Sequence, residues 1–262
     1  MKRKGWSMAG GVIICLLTVL SMPSASLAIG IEAAIGGWSQ GISGDIAYRP
    51  INAITDTIDL ETDMGYDDET RAMGRVRIDM PLVIPNIYLM YTPVEFEGSG
   101  RKNVNFKFGD YTFTRNMPYT SKVSLDHVDV ALFYSIPFLN LVSLDTLNID
   151  LGLNLKVADV EAQITQSVTG QREDKSYTLP IPMAFAAIQV KPIDIISFEA
   201  EARGIAYSGN HLYNLIGRIK FKPLGPFFIA GGYRYDSIKL DEKDVLLDAT
   251  IKGVFAETGL EF

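Results

Sequence analysis

The feature that most constrains the fold of this chain is a strict alternation of apolar and polar side chains with a period of two residues. It is clearest from Leu147 to Val157, where leucine, isoleucine or valine stands at every odd position and asparagine, aspartate, glycine or lysine at every even one. That period is typical of a β-strand with one face in an apolar medium. At roughly 3.3 Å per residue and a tilt of about 40°, the strand covers the apolar band, about 25 Å tall, of an outer-membrane barrel.

The first 28 residues have the three-part pattern of a secretory signal peptide. Basic residues follow the first methionine, an uncharged apolar stretch runs from Met8 to Leu20, and small residues, Ser26 and Ala28, stand at the positions that a signal peptidase reads. The apolar stretch is short for a membrane-spanning helix, which needs about 20 apolar residues. We therefore expect residues 1–28 to be a signal peptide cleaved after Ala28, and residues 29–262 to form one outer-membrane β-barrel domain.

Composition argues against several classes of protein. The only cysteine, Cys15, lies in the signal peptide, so disulfide and thiolate chemistry are excluded for the mature chain. Without the three basic residues of the signal peptide, 21 Lys and Arg remain against 31 Asp and Glu, a net charge of −10 that argues against nucleic acid as a partner. No run of about 18 apolar residues follows Ala28, which disfavours a helical membrane protein but suits a barrel of alternating strands.

Other alternating segments carry charges on their polar face. In residues 72–80 and 196–206, small or apolar side chains on one face stand opposite arginine and carboxylate side chains on the other. A soluble barrel would turn the apolar face inward, whereas a membrane barrel would turn it outward to the lipid. Alternation alone does not distinguish these two arrangements. If the apolar face meets lipid, these side chains point into the lumen: Arg75, Arg77, Asp79, Glu199, Glu201, Arg203, Arg218, Lys220, Arg234 and Asp236.

Two neighbouring strands carry aromatic residues toward both ends of an apolar stripe, eight residues apart on one face. Aromatic enrichment is ordinary in strands, but the repeated spacing favours the two girdles that outer-membrane barrels place at the membrane interfaces. The predicted girdle residues are Tyr213, Phe221, Phe227, Tyr233 and Tyr235.

Short Pro-rich breaks and long polar stretches divide the chain into strands. The polar stretches 52–70, 97–121 and 166–176 predict long loops on one side of a barrel and short turns on the other. Residues 104–114 alternate around Gly109 and are too short to cross twice, so we expect a hairpin within the second loop. Ten strands are predicted, with eight or twelve left open: 30–48, 71–80, 86–97, 120–136, 146–165, 177–190, 195–208, 211–222, 227–240 and 246–262.

The chain ends on an alternating stripe whose last residue is Phe262. With Leu260, this stripe resembles the C-terminal signal read by the outer-membrane barrel assembly machinery, although Glu257 stands where that pattern often has glycine. Residues 204–211 and 231–235 look like segments of small single-chain outer-membrane β-barrel proteins of Gram-negative bacteria, and the resemblance covers nearly the whole mature chain.

That resemblance implies an all-β fold, a single antiparallel up-and-down transmembrane β-barrel with short periplasmic turns and longer extracellular loops. It implies a location in the cell outer membrane after export through the periplasm. We expect contact with outer-membrane lipid, with lipopolysaccharide and, during biogenesis, with the assembly machinery. The resemblance brings no activity and no cofactor, and leaves any soluble partner unknown.

Two patterns could carry catalysis. Residues 37–41 match the G-x-S-x-G elbow of serine hydrolases, but they lie within an alternating strand with no helix after it, so the motif is out of context. His127 and Asp129 share the predicted lumen face and are the only candidates for a general base and its orienting acid. Because residues i and i+2 of a strand stand about 7 Å apart, a solvated or ion-paired histidine is favoured. His211 is expected in the interface belt.

The first polar loop is acidic, with seven carboxylates between residues 56 and 69. Such oxygen clusters can hold calcium or join the divalent-cation lattice of lipopolysaccharide, but the spacing is not that of an EF-hand. The favoured interpretation is a solvated loop without metal. The metal-ligand candidates would be Asp63, Asp67, Asp68 and Glu69.

A ten-stranded barrel has a narrow interior that side chains nearly fill, and buried charges must be paired. We therefore favour a non-enzymatic barrel with a structural or surface-interaction role and a plugged, charge-networked lumen. One alternative is a narrow diffusion pore for small polar solutes. The other is an enzyme that hydrolyses outer-membrane lipid or peptides, with His127 and Asp129 at its site.

Overall fold

A computed structural model describes residues 29–48, 50–52, 56–81, 83–137, 139–242 and 244–262. The expected signal peptide and its cleavage site at Ala28 lie outside these residues, so both stay predictions. Among the described residues, no helix is long and apolar enough to cross a membrane.

Nearly all regular structure in the described chain is β-strand. In order, the elements are β1 Gly30–Tyr48, β2 Ile58–Asp59, β3 Glu69–Asp79, β4 Asn86–Thr92, β5 Glu95–Gly100, β6 Phe106–Phe108, β7 Tyr111–Phe113, β8 Tyr119–Ser135, a short helix α1 Leu139–Val142, β9 Leu147–Gln166, β10 Gln171–Ile193, β11 Ile196–Tyr207, β12 Asn210–Leu224, β13 Phe227–Glu242 and β14 Val245–Glu261.

The long strands, with β4 and β5 counted as one, form a closed ten-stranded antiparallel barrel. Each barrel strand pairs with its neighbours along the chain, and β1 pairs with β14 from Glu32 opposite Glu261 to Tyr48 opposite Val245. The predicted fold class and the preferred count of ten strands are confirmed. Both ends of the barrel chain lie at one end of the cylinder, which we call the periplasmic end; the opposite end is the outer end.

The apolar face of the strands points outward. Leu153 of β9, Ile219 of β12 and Val254 of β14 are 72%, 55% and 62% exposed, whereas Asn154 and Arg218, on the alternate phase, are buried. An apolar outside and a polar inside are typical of a transmembrane barrel and the reverse of a soluble one.

The prediction of a long polar loop over residues 166–176 is wrong. The β9–β10 hairpin pairs up to Gln166 opposite Gln171, and the chain turns within residues 167–170. Asp174 is exposed on the outside of this hairpin, whereas Ile164 is buried inside. The polar outward residues resemble a loop in the sequence, but the inward positions keep the strand period of two.

The other two long loops fold over one side of the outer end. The predicted hairpin around Gly109 is confirmed as the β6–β7 pair. Its Phe106 and Phe113 rings stack with centroids 5.2 Å apart, and Tyr119 of β8 packs edge-on against Phe106 at 5.4 Å. We call residues 58–66 and 106–113 the outer cap.

A two-residue turn joins β11 to β12 at the outer end. Ser208 and Gly209 have φ angles of 52° and 87°, and positive φ at both central residues is typical of the type I′ turn that closes tight hairpins. The turn fixes the outer end of β11 at Tyr207, well below the tip of β10.

Candidate functional site

The candidate site is the interior of the barrel, where charged side chains fill the periplasmic half. A buried charge costs much free energy unless it is paired and hydrogen-bonded, so the partners of each group decide what the interior can do. We call the following set the central ion-pair network: Glu32 of β1, Arg75 of β3, Glu199, Glu201 and Arg203 of β11, Arg218 and Lys220 of β12, and Glu257 and Glu261 of β14.

Arg75 joins the two ends of the chain within this network. Its Nη2 lies 2.5 Å from a Glu32 carboxylate oxygen and 2.8 Å from one of Glu257. Its Nε also donates to Glu257 at 3.1 Å. Because the Arg75 side chain is only 3% exposed, these two carboxylates take the place of water around the guanidinium.

Arg218 and Lys220 extend the network across the lumen. Arg218 Nη1 lies 2.6 Å from Glu201 and 3.1 Å from Glu199. Lys220 Nζ lies 2.9 Å from Glu199 and 3.0 Å from Glu32. Each of these cations is shared between carboxylates, so the network braces β12 against both β11 and β1.

A second group surrounds Arg234, nearer the outer end. The Arg234 guanidinium lies over the Trp38 ring, 4.4 Å from its centroid. It bonds Asp236 at 2.8 Å, Thr92 Oγ1 at 2.8 Å and His127 Nε2 at 3.0 Å. We call these five residues the Arg234 cluster.

Asn214 links the two groups. Arg203 Nη2 donates to Glu201 at 2.9 Å, and Arg203 Nη1 donates to the Asn214 side-chain oxygen at 3.0 Å. Asn214 in turn donates to Asp236. The polar interior is therefore one continuous hydrogen-bonded and ion-paired structure from the periplasmic half up to the Arg234 cluster.

The two catalytic candidates lie close together. His127 Nε2 is 3.7 Å from Asp129 Oδ2, nearer than the backbone spacing of the strand but beyond hydrogen-bond length. Arg234 only donates, so Nε2 accepts from it and His127 Nδ1–H donates to the Leu125 carbonyl at 2.8 Å. Both ring nitrogens of His127 are thus occupied.

Asp129 is also committed to other partners. Lys156 Nζ lies 2.7 Å from its Oδ2, and Asn154 donates to its Oδ1 at 2.7 Å. Its side chain is fully buried. The carboxylate therefore neutralises a buried lysine of β9 rather than orienting the histidine.

A third group lies at the periplasmic mouth. Arg77 bonds Asp79 at 2.9 Å and Asp150 at 2.7 Å, with its guanidinium 4.7 Å from the centroid of the Phe133 ring. A polar cavity of about 140 Å³ lies among these side chains, and its inner wall includes Arg218 of the central network.

Several interior residues escaped the sequence reasoning. In the sequence, Glu257 stands out only as a departure from a common glycine position, and in the structure it is one of the two carboxylate partners of Arg75. The inward phase of the strands indicates Glu32, Asn214 and Glu261, because each lies between outward apolar residues. Trp38, between Gly37 and Ser39, has no such signal. The missed residues are Trp38, Glu32, Asn214, Glu257 and Glu261, whereas Asp150, Asn154 and Lys156 belong to the polar face already predicted for residues 147–157.

The predicted girdle residues all lie on the outward face, between 37% and 47% exposed. Phe221 and Phe227 are toward the periplasmic end, and Tyr213 and Tyr235 toward the outer end, where the His211 ring stacks on Tyr213 with centroids 4.8 Å apart. Leu260 and Phe262 are exposed near the barrel closure. The interface role and the assembly role of these residues remain predictions.

The acidic loop forms turns and ion pairs. Asp59 Oδ1 accepts from the backbone N–H of Thr62 at 2.6 Å and of Glu61 at 3.0 Å, and the Thr62 bond is the main cause that lowers the pKa of Asp59. Asp63 pairs with Lys102 at 3.1 Å. Within the described residues, no three acidic, histidine or cysteine side chains converge on a metal position, and the candidates Asp67, Asp68 and Glu69 do not join Asp63 in one.

Two tyrosines bind the outer cap to the barrel. Burial raises the pKa of Tyr66 to about 12, and burial likewise raises the pKa of Tyr119. The Tyr119 hydroxyl donates to the Asp63 carbonyl at 2.7 Å. Ionising these hydroxyls would place charge inside an apolar cluster.

Closure, antiparallel order, outward apolar stripes and an ion-paired interior together define a small outer-membrane β-barrel. Outer membrane protease OmpT from Escherichia coli has this fold, with a TM-score of 0.52, 8% identity, and coverage of 92% of this chain and 99% of that one. The translocator domain of autotransporter NalP from Neisseria meningitidis gives a TM-score of 0.41, 11% identity, and coverage of 97% and 95%. Ail, the attachment invasion locus protein of Yersinia pestis, gives a TM-score of 0.39 and 12% identity, with coverage of 89% of this chain and 99% of that one.

At such identities, the likeness to OmpT extends to the fold alone. No protein-family model matches the sequence, and no curated protein is similar to it.

Proposed function

We propose that the protein is an outer-membrane barrel with a lumen plugged by its own charges, and that it has a structural or surface-interaction role rather than a transport role. The observation that carries the proposal is the central ion-pair network. From Arg75 of β3 to Arg203 of β11, cations and carboxylates alternate without interruption in this order: Arg75, Glu32, Lys220, Glu199, Arg218, Glu201 and Arg203. Removing one partner of a buried pair leaves an uncompensated charge, so opening a path through this network is costly.

The outer membrane as the location is supported by the fold and by the outward apolar stripes. We infer that the chain is exported to the periplasm and is inserted by the barrel assembly machinery, with Leu260 and Phe262 as its signal. Its partners in place would be outer-membrane lipid and lipopolysaccharide, the latter near the acidic first loop.

A narrow diffusion pore is the second candidate, and the polar cavity at the periplasmic mouth is the observation that favours it. That cavity measures about 140 Å³, and its inner wall is formed by Arg218, Glu201 and Tyr88. A pore would require these side chains to part, whereas Arg218 is held by carboxylates at 2.6 Å and 3.1 Å.

A hydrolase receives less support. A general base needs a free nitrogen facing the proton it removes, and both nitrogens of His127 already have partners. Asp129, its candidate orienting group, is bound to Lys156 and Asn154. We therefore assign His127 a structural role, as an acceptor for Arg234.

Ion conductance in a planar lipid bilayer tests the plug. The protein would be expressed as the full chain, purified from outer membranes and compared with a double variant, Glu199→Gln with Glu201→Gln. The folded state of both would first be checked by their unheated mobility on a detergent gel. We expect the folded wild type to give no conductance steps, and the variant to be less stable.

Reproducible steps of defined size, with an ion selectivity that changes in the Glu199/Glu201 variant, would reject the plugged barrel in favour of the pore. Silence from protein shown to be folded would support the plug.

A further inference from the structure

The interior of the barrel changes character toward the outer end. On β9, the inward residues Asn154 and Lys156 are polar, whereas the next inward residues, Ala158 and Val160, are apolar. On the outward face the order is reversed, because Leu155 is apolar and Asp159 is charged. A strand whose two faces exchange polarity leaves the apolar band of the membrane at that level, and above it the barrel encloses an apolar space.

That space is a cavity of about 490 Å³, within the range of small-molecule binding sites. We call it the outer chamber. Its floor is formed by His127, Lys156 and Asp236, all held in the ion pairs and hydrogen bonds described above. Its walls are mainly aliphatic and include Val160, Leu179, Ile181, Ile205, Leu212 and Ile238.

The wall of the outer chamber has a break between β10 and β11. These strands pair from Ile193 opposite Ile196 up to Ala184 opposite Gly204, and no further. Above that level, β10 continues to Gln171 paired with β9 alone.

Two features keep the break open: β11 ends at Tyr207, and two prolines of β10 face the gap. Continuing the register by two residues would oppose Pro182 to Ala206, and Pro180 follows at the next position of the same phase. The ladder between β10 and β9 runs unbroken through both prolines, so their backbone nitrogens point to the β11 side. Proline has no N–H to donate, and β10 therefore lacks two successive donors on the edge that faces β11.

The break connects the outer chamber with the lipid-facing surface. The chamber is lined on one flank by Leu179 and Ile181 of β10, and on the other by Ile205 and Tyr207 of β11. It also touches Tyr213, which lies on the outward face in the outer girdle of aromatic residues. If the aromatic girdle marks the outer membrane interface as predicted, the opening lies at that level and faces the bilayer.

We propose that the break between β10 and β11 is a lateral opening through which the hydrocarbon chain of an outer-leaflet lipid enters the outer chamber. The chamber offers apolar walls to a hydrocarbon chain, so a chain that leaves the bilayer core stays in an apolar environment. Lys175 lines the same cavity, close to where an anionic headgroup would remain at the interface. This site is independent of the plug, because the floor of the chamber stays closed while the chain is bound.

Photolabelling tests the proposal. The protein, expressed as the full chain and purified from outer membranes, would be reconstituted in vesicles that contain a phospholipid with a photoactivatable acyl chain. Labelled residues would be located by mass spectrometry. We expect labels on chamber residues such as Val160 and Leu212, together with labels on the outward residue Leu153, which reports contact with bulk lipid.

Two variants separate the lateral route from the chamber itself. Pro180→Val with Pro182→Val restores N–H donors opposite Ala206 and Ser208, so β10 can pair with β11 as far as the end of β11 and the opening narrows. Chamber labelling should fall several-fold while Leu153 labelling persists. Pro223→Val, at the periplasmic end of β12, is the matched proline control and should leave both signals unchanged. Ala158→Trp fills the chamber and should abolish chamber labelling, whereas Ala200→Trp on the outward face should not.

Chamber labelling that is unchanged in the Pro180/Pro182 variant would overturn the lateral route. Absence of chamber labels in the wild type, or labels obtained only with a free fatty acid supplied from water, would overturn the lipid as the occupant. The labelling result is independent of the conductance result. A barrel that does not conduct and has no chamber labels supports the plug and rejects the lipid site. A barrel that conducts and has chamber labels rejects the plug and supports the lipid site.

Discussion

Arg75 lies within 2.8 Å of carboxylates from two other strands, Glu32 on β1 and Glu257 on β14. Glu257 is separated from Arg75 by 182 positions in the chain and is buried. Glycine at this position would leave room but no charge, so the glutamate is better explained by its partner than by the strand in which it lies. At the scale of the residue, the interior consists of such pairs, and each pair is sensitive to the loss of one member.

We expect Glu257→Gln to destabilise the barrel by about 3 kcal/mol, because it leaves the Arg75 guanidinium buried with one carboxylate instead of two. Urea unfolding in lipid vesicles would measure the loss. The matched control is Glu97→Gln, at an exposed carboxylate 3.4 Å from Lys122, which should change stability by no more than about 0.5 kcal/mol. Equal losses in the two variants would contradict the assignment.

At the scale of the element, the outer cap is an apolar cluster held on the barrel by aromatic side chains. Phe106, Phe113 and Tyr119 pack on one another, and Tyr66 lies 6.0 Å from Phe96 between ring centroids. The cap covers one side of the outer end. Its Phe108 also lines the outer chamber.

The cap should loosen at alkaline pH. The pKa of Tyr66 is raised by burial to about 12, so the unfolded cap ionises first, near pH 10. This contribution to stability is complete below about pH 10 and decreases as the pH rises toward 12, by about 2 kcal/mol. Protease cleavage of the cap measured against pH should show this loss. Tyr66→Phe should reduce the loss and leave the part that comes from Tyr119, whereas Tyr111→Phe, at an exposed tyrosine of the cap, should leave it unchanged.

At the scale of the whole molecule, the barrel closes through its two chain ends. The Phe262 N–H donates to the Ile31 carbonyl at 2.8 Å, and the Ile31 N–H donates to the Phe262 carbonyl at 3.2 Å. These bonds use the backbone, whereas the Phe262 side chain is 67% exposed. The ring is therefore available to another protein during assembly and adds little to the closed barrel.

We expect Phe262→Ala to lower the amount of barrel recovered from the outer membrane, without changing the yield of folded protein refolded in detergent. Membrane fractionation and gel mobility would measure the two quantities. Phe227→Ala removes another exposed aromatic ring from the same end and serves as the control. If both variants are recovered like the wild type, or if Phe262→Ala also fails to refold, the ring is not an assembly signal.

The sequence alone determined the strands, their faces and the hairpin within the second loop. These features are local: a period of two over ten or more residues needs a strand, and proline and glycine mark where it ends. Leu147–Val157 predicts β9 in this way. The same local reasoning failed for the start of β10, residues 171–176, where the outward positions are polar and the sequence resembles a loop.

Only the tertiary structure decided which inward charges meet. Closure of the barrel brings Glu257 to Arg75 and Arg234 to His127, and it occupies the histidine that the sequence offered as a base. It also decided that β10 pairs with β9 alone on the outer side of Ala184, although Pro180 and Pro182 are plain in the sequence. The physical reason is that alternation specifies to which side a residue points, whereas its partner across the lumen or the strand beside it is fixed only when all ten strands take their register together.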